Sequence, residues 1–272
     1  SSVISIGYSA FSRCSSLTKI TIPPSVTSIE DKLLIKCSSI TRITMPSTIT
    51  SIGSQAFSDC FALKQITIPS FVSSIGDFAF KGCSSLTQII IPTSVTEIGK
   101  NTFSRCVELK QISIPSRVHL IDDYTFYKCV LLSQITIPSS VTSIGSSAFM
   151  GCSSLTTIYI PSSVTSIGIC AFKECTSLTY VLIPSSVVNV GNSAFEKCSS
   201  LTSLKIPSSL TSISEYSFCE CTSLKQVFIP SSIVTIGDCA FKNCSSLKQI
   251  TIPSSVTQIG NYAFIGCPLL KQ

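Results

Sequence analysis

Residues 160–183 read Ile160-Pro161-Ser162-Ser163-Val164-Thr165-Ser166-Ile167-Gly168-Ile169-Cys170-Ala171-Phe172-Lys173-Glu174-Cys175-Thr176-Ser177-Leu178-Thr179-Tyr180-Val181-Leu182-Ile183. This stretch sets out one complete structural unit. Its proline removes a ladder donor and fixes φ, so it closes a strand and turns the chain. Val164 and Ile167 then form an extended segment that ends at Gly168, a residue free to take positive φ. Ala171, Phe172, Cys175 and Leu178 follow at spacings of one, three and three, which suits a single helical or 3₁₀ turn facing inward. The strand itself is clearest in the next unit, where Leu204 and Ile206 alternate with Ser203 and Lys205.

The same unit recurs every 23 residues without insertion. Eleven of the 13 prolines keep the period, from Pro23 to Pro253. So do twelve of the 15 cysteines: Cys14, Cys37, Cys60, Cys83, Cys106, Cys129, Cys152, Cys175, Cys198, Cys221, Cys244 and Cys267. A phenylalanine stands three residues before each of these except at Leu34. The register glycine is replaced only by Glu30, Asp122 and Ser214. A unit this short has one apolar face and cannot bury it alone, so repeats must stack. The expected fold is an α/β repeat solenoid. It has one long parallel sheet of short strands, with 3₁₀, helical or irregular segments opposite. Residues 1–272 are expected to form a single array of about twelve repeats, truncated or uncapped at both ends. The end coils near Val3–Ile6 and Leu269–Leu270 are expected to expose core, which would favour fraying or end-to-end association.

Composition fits this reading. Charged residues make up 12% of the chain and apolar residues 44%, and 54 serines replace the missing charge. Disorder needs the opposite balance. The net charge of +6 comes from scattered single residues, with no basic run that would favour nucleic acid or an anionic membrane. No apolar run approaches the length of a membrane span. The single His119 excludes a histidine-rich metal site. Cys219-Glu220-Cys221 lacks a second ligand pair, and Cys170 and Cys239 lie three units apart, too far to bridge. Asp122-Asp123 and Glu30-Asp31 read as turn residues. No phosphate loop, nucleophile elbow or dinucleotide fingerprint occurs, so no cofactor is expected. The cysteine ladder reads as a column of small buried hydrophobes, each with its thiol pKa raised by burial.

The pattern Leu-x-x-Ile-x-Ile-Pro-x-Ser-Val-x-x-Ile-Gly-x-x-Ala-Phe-x-x-Cys resembles the leucine-rich repeat in its BspA-like variant. Leu155, Ile158 and Ile160 occupy the core of that motif, and Pro161, Val164, Ile167, Ala171, Phe172 and Cys175 complete it. The resemblance covers essentially the whole chain and extends to surface-antigen sets of parasitic protists such as trichomonads. It implies a cell-surface or secreted protein that adheres to host cells or matrix, and does not carry the identity of a ligand. One position departs from the family. The asparagine ladder is mostly serine here, as at Ser25, Ser94, Ser140 and Ser163, and becomes Phe71 and Arg117 in two repeats. Less tightly bridged loops are expected there.

In a repeat array, function is sought where exposed positions vary. The two outward columns of the strands form a field of Gln and Thr broken by Tyr159, Tyr180, Leu182, Lys205 and Phe228. Neighbouring strands lie ~4.8 Å apart, so these side chains should form one patch. Exposed aromatics beside a cation suit a binding hot spot. The leading reading is a non-enzymatic binding module that offers its sheet to a host-cell or matrix protein or to a glycan. The alternative is a structural spacer or an intracellular scaffold. Ice binding needs a flat regular face, which Ile90, Tyr159, Tyr180, Leu182 and Lys205 interrupt.

Overall fold

The computed structural model describes residues 2–271. The chain divides into two compact units, Ser1–Ser140 and Val141–Gln272, and the same coil repeats through each. In the first unit, three-residue strands run at Lys19–Thr21, Arg42–Thr44, Gln65–Thr67, Gln88–Ile90, Gln111–Ser113 and Gln134–Thr136. In the second they run at Thr157–Tyr159, Tyr180–Leu182, Ser203–Lys205, Gln226–Phe228 and Gln249–Thr251. Paired strands are parallel and shifted by one repeat, so each residue meets its own equivalent: Ile20 faces Ile43, and Ile158 faces Val181. The middle residue points inward and its two neighbours outward, as strand alternation requires.

The extended segment after each proline is itself a strand. In the first unit, Ser28–Ile29, Ser51–Ile52, Ser74–Ile75 and Glu97–Ile98 pair into a second parallel ladder. In the second unit, Ser143–Ile144, Ser166–Ile167 and Asn189–Val190 form one such ladder, and Ser212–Ile213, Thr235–Ile236 and Gln258–Ile259 form another. Within each unit the coil thus carries parallel strands on two sides, the three-residue strands on one and these two-residue strands on the other.

The helical or 3₁₀ segment is corrected outright: the described residues contain turns and no helix. In the coil of Cys60, the N–H groups of Ala56, Ser58 and Cys60 donate to the carbonyls of Gly53, Gln55 and Phe57 at 3.1–3.3 Å. The intervening N–H groups of Gln55, Phe57 and Asp59 donate to the next coil, on Asp77, Ala79 and Lys81, at 2.7–2.8 Å. A helix would send every N–H back along its own chain. Two residues per coil therefore adopt the left-handed conformation, here Gln55 (φ 58°) and Asp59 (φ 59°), and in the coil quoted at the outset Cys170 (55°) and Glu174 (62°). Each costs roughly 1–2 kcal/mol in an L-residue. The inter-coil bonds and the burial they permit offset that cost.

The core lies between the ladders. Phe57, Phe80, Phe103 and Phe126 are fully buried and stack at centroid spacings of 5.2–5.7 Å. Phe149, Phe172, Phe195, Phe218, Phe241 and Phe264 stack likewise in the second unit, at 5.2–5.6 Å.

Gly168 is required for closeness and not for a positive φ. A Cβ there would lie 2.5 Å from the backbone carbon of Gly145 in the preceding coil. That approach lets the N–H of Gly168 reach the carbonyl of Ile144 at 2.8 Å. Where Ser214 replaces the glycine, its hydroxyl donates to the carbonyl of Val190. Both ladders of the second unit are interrupted at this junction, between Tyr180–Leu182 and Ser203–Lys205 and between Asn189–Val190 and Ser212–Ile213. One coil later, the buried Ser232 hydroxyl has no hydrogen-bond partner. A single Gly-to-Ser exchange thus coincides with the main irregularity of the unit.

Candidate functional site

The serine position that departs from the family is bridged to the preceding coil in most repeats, contrary to expectation, with Ser232 the exception. Ser94 Oγ donates to the carbonyl of Val72 at 2.6 Å, and Ser163 Oγ to that of Val141 at 2.6 Å. Thr48 does the same toward Val26 at 2.7 Å. A hydroxyl on a short side chain reaches the preceding coil, so serine takes the place of asparagine.

The cysteine ladder is more than an apolar column. The ladder thiols lie against the preceding coil and donate to its carbonyls, that of Leu34 for Cys60 and that of a phenylalanine in the coils that follow. Cys83 Sγ reaches Phe57 O at 3.2 Å, Cys106 reaches Phe80 O at 3.2 Å and Cys175 reaches Phe149 O at 3.2 Å. The same carbonyl of Phe57 also accepts the N–H of Cys60. Cysteine is thus small enough for the core and supplies a weak donor to a buried acceptor. None of the fifteen cysteines forms a disulfide. Burial pushes the thiols of Cys129 and Cys175 up to about 12, and those of Cys106 and Cys198 well above their ordinary value, so they remain protonated and unreactive at neutral pH.

The other chemically tempting residues also serve the fold. Glu30 accepts a hydrogen bond from Ser28 Oγ at 2.6 Å, and Asp31 Oδ1 accepts the N–H of Ser54 at 2.7 Å. Asp122 accepts the N–H of Asp123 at 2.7 Å. His119 is exposed, with Nδ1 3.1 Å from the carbonyl of Ser140. Burial alone would lower the pKa of Lys173, but the Glu196 carboxylate at 2.9 Å outweighs it and raises the lysine. Among the described residues, no three His, Cys, Asp or Glu side chains gather as a metal-binding group. Among the described residues no helix is long and apolar enough to cross a membrane.

The strand faces carry the remaining surface chemistry. In the second unit Tyr159 lies in register with Leu182, and Tyr180 with Thr157. Tyr180 and Leu182 flank the inward Val181 on the same strand, so Tyr159, Tyr180 and Leu182 share one face. Their exposure is 70%, 51% and 45%. Lys205 is in register with Phe228, which is 58% exposed, but this pair lies beyond the interrupted ladder. The N–H of Thr202 still donates to the carbonyl of Thr179 at 3.2 Å, so the strand of Lys205 adjoins that of Tyr180 and Leu182 across the interruption. A cleft of about 360 Å³ beside Phe228 is lined also by Gln226, Gln249, Thr251 and Lys271.

In the first unit the Gln/Thr field forms a groove. One cleft of about 700 Å³ spans the strands from Arg42 to Gln88, and a second of about 600 Å³ spans those from Gln88 to Gln134. They share Gln88, Ile89 and Ile90, so the depression is continuous across the strands. The field is nearly uniform in sequence, because concavity depends on how the coils stack and leaves no mark on the period.

Known proteins give a consistent picture. The sequence matches the BspA type leucine rich repeat region over residues 1–83, 50–176 and 142–271. A leucine-rich repeat protein from Bacteroides ovatus is similar in structure, with a TM-score of 0.80 and 31% identity over 99% of this chain and 81% of its own. A leucine rich cell surface protein from Faecalibacterium prausnitzii has a TM-score of 0.59 and 34% identity over 94% of this chain and 86% of its own. The leucine rich repeat protein of T. pallidum is 33% identical over 56% of this chain and 72% of its own, with a TM-score of 0.55. No curated protein matches the chain significantly.

Proposed function

The chain belongs to the BspA-type leucine-rich repeat family, and from that premise we propose that it is a non-enzymatic module that binds a host-cell or matrix protein at the cell surface. The observation that carries this reading is the exposed cluster of Tyr159, Tyr180 and Leu182. Three large apolar side chains on adjacent strands, in a field of Gln and Thr, make the kind of contiguous patch that protein interfaces use. Tyrosine is favoured at such sites because its ring buries area while its hydroxyl keeps a partner. Lys205 and Phe228 extend the surface along the next coils. A surface location is supported by the F. prausnitzii relative, which is named as a cell surface protein. Glu30, Asp31, Asp122, Glu196 and the buried ladder thiols are engaged in structural hydrogen bonds, which is in keeping with a binding role.

The test replaces Tyr159, Tyr180 and Leu182 with Thr, the local default. Immobilised matrix proteins and host-cell surface extracts serve as probes. Saturable binding that falls by about tenfold or more in the triple variant, a loss of ~1.4 kcal/mol or greater, is the expected result. Binding equal to that of the parent chain would remove the cluster from the interface. Surface labelling of intact producing cells tests the location separately.

A further inference from the structure

We infer that the groove of the first unit is a second binding site, and that its occupant is a neutral, extended, β-linked glycan chain lying across the strands. This goes beyond the protein-binding reading and concerns a different unit of the chain.

Four observations lead to that occupant. The first is the ladder of amides. Gln65, Gln88, Gln111 and Gln134 stand in register on neighbouring strands, all exposed. Their side chains make no hydrogen bond within the protein among the described residues. Each carboxamide offers an acceptor beside two donors, so one amide can engage a pair of adjacent hydroxyls on a sugar ring. The second is the spacing. The amides repeat at the strand separation, ~4.8 Å, which is close to the advance of one hexose in an extended β-linked chain. The advance per hexose slightly exceeds the strand separation and neighbouring sugars are turned over, so alternate sugars present the same edge to alternate glutamines.

The third is charge. Among the described residues that line the groove, Arg42 alone is charged, and it stands at one end. Acidic polysaccharides and charged peptides find no complementary row of ions there. The fourth is the apolar step at its middle. Ile90 is 83% exposed and sits where the two clefts overlap. A sugar ring has an apolar face of C–H groups that can rest on such a side chain while its edge hydroxyls turn to the amides. An extended peptide is less well suited. The groove runs across the strands, whose backbone donors and acceptors are used between coils, so it offers a peptide no edge to extend.

The test is calorimetry of the full chain against β-1,4-linked gluco-oligosaccharides from disaccharide to hexasaccharide. A polyanionic polysaccharide and a neutral extended peptide are run in parallel. Affinity should rise with each added sugar as more amides are engaged, then level off once the groove is filled. Gln88→Ala and Gln111→Ala should each weaken the hexasaccharide by about fivefold, the loss of one or two hydrogen bonds. Ile90→Thr should weaken it as well. Circular dichroism establishes that the variants keep the parent fold. No saturable binding of any oligosaccharide would overturn the inference. So would affinity independent of chain length, binding unchanged by the glutamine variants, or tighter binding of the peptide or polyanion.

Discussion

Raising the pH should unfold this protein through its thiols. The ladder cysteines are held neutral by burial, while in the unfolded chain they ionise near the ordinary value of 9.0. Above that pH the unfolded state has released protons that the folded state retains, so stability falls as pH rises. The stabilisation is fully present below about pH 8.5. One pH unit above 9.0, each such thiol withdraws about 1.4 kcal/mol. Cys60, Cys83, Cys106 and Cys129 all lie in the first unit and all have raised values. Together they withdraw on the order of 6 kcal/mol near pH 10, a large share of the 5–15 kcal/mol that holds a typical domain. The assay is urea unfolding by circular dichroism across this pH range, with thiols counted in parallel by a chromogenic disulfide reagent. The midpoint should be level up to about pH 8.5 and then fall. Cys106→Ala should start less stable but show a shallower fall, lacking one thiol's share. A midpoint that stays level through pH 10 would refute the reasoning. So would thiols that react as fast in the native protein as in urea at pH 8.

Other perturbations address single features of the coil. Phe172→Ala removes a ring stacked 5.2–5.3 Å from both neighbours, and should cost about 3–5 kcal/mol in urea unfolding. Gly168→Ala should destabilise by roughly 1–3 kcal/mol, because its Cβ would meet the preceding backbone. Lys197→Gly should instead stabilise by roughly 0.5–1 kcal/mol, since Lys197 holds φ at 62°; an equal loss at both sites in thermal melts would contradict this account. Ser163→Ala deletes the 2.6 Å bond to Val141 and should cost about 1 kcal/mol, whereas Ser162→Ala, at an exposed neighbour, should be near neutral.

The strands were legible because they depend on alternation alone. Ser203, Leu204 and Lys205 assign inside and outside without any knowledge of the neighbouring coil. The candidate surface was legible in part for the same reason, since Tyr159, Tyr180 and Leu182 occupy outward positions whatever the curvature. The turn segment was not. Ala171, Phe172, Cys175 and Leu178 have spacings that a helical turn and a run of successive turns satisfy equally. What separates the two is whether the N–H of Phe172 donates along its own chain or to Ala194 of the next coil, and it donates to Ala194 at 2.8 Å.

The sequence by itself determined the period, the parallel stacking in register and the identity of the core, because a 23-residue repeat without insertions brings every residue beside its own equivalent. Only the tertiary structure decided why particular residues recur. Gly168 is set by the backbone of Gly145, Ser163 by the carbonyl of Val141, and Cys175 by the carbonyl of Phe149. Each of those partners lies on the adjacent coil, roughly one period away in sequence. The reason is physical: a repeat states what is stacked, whereas the distance of closest approach and the direction of each hydrogen bond exist only once two coils are in contact.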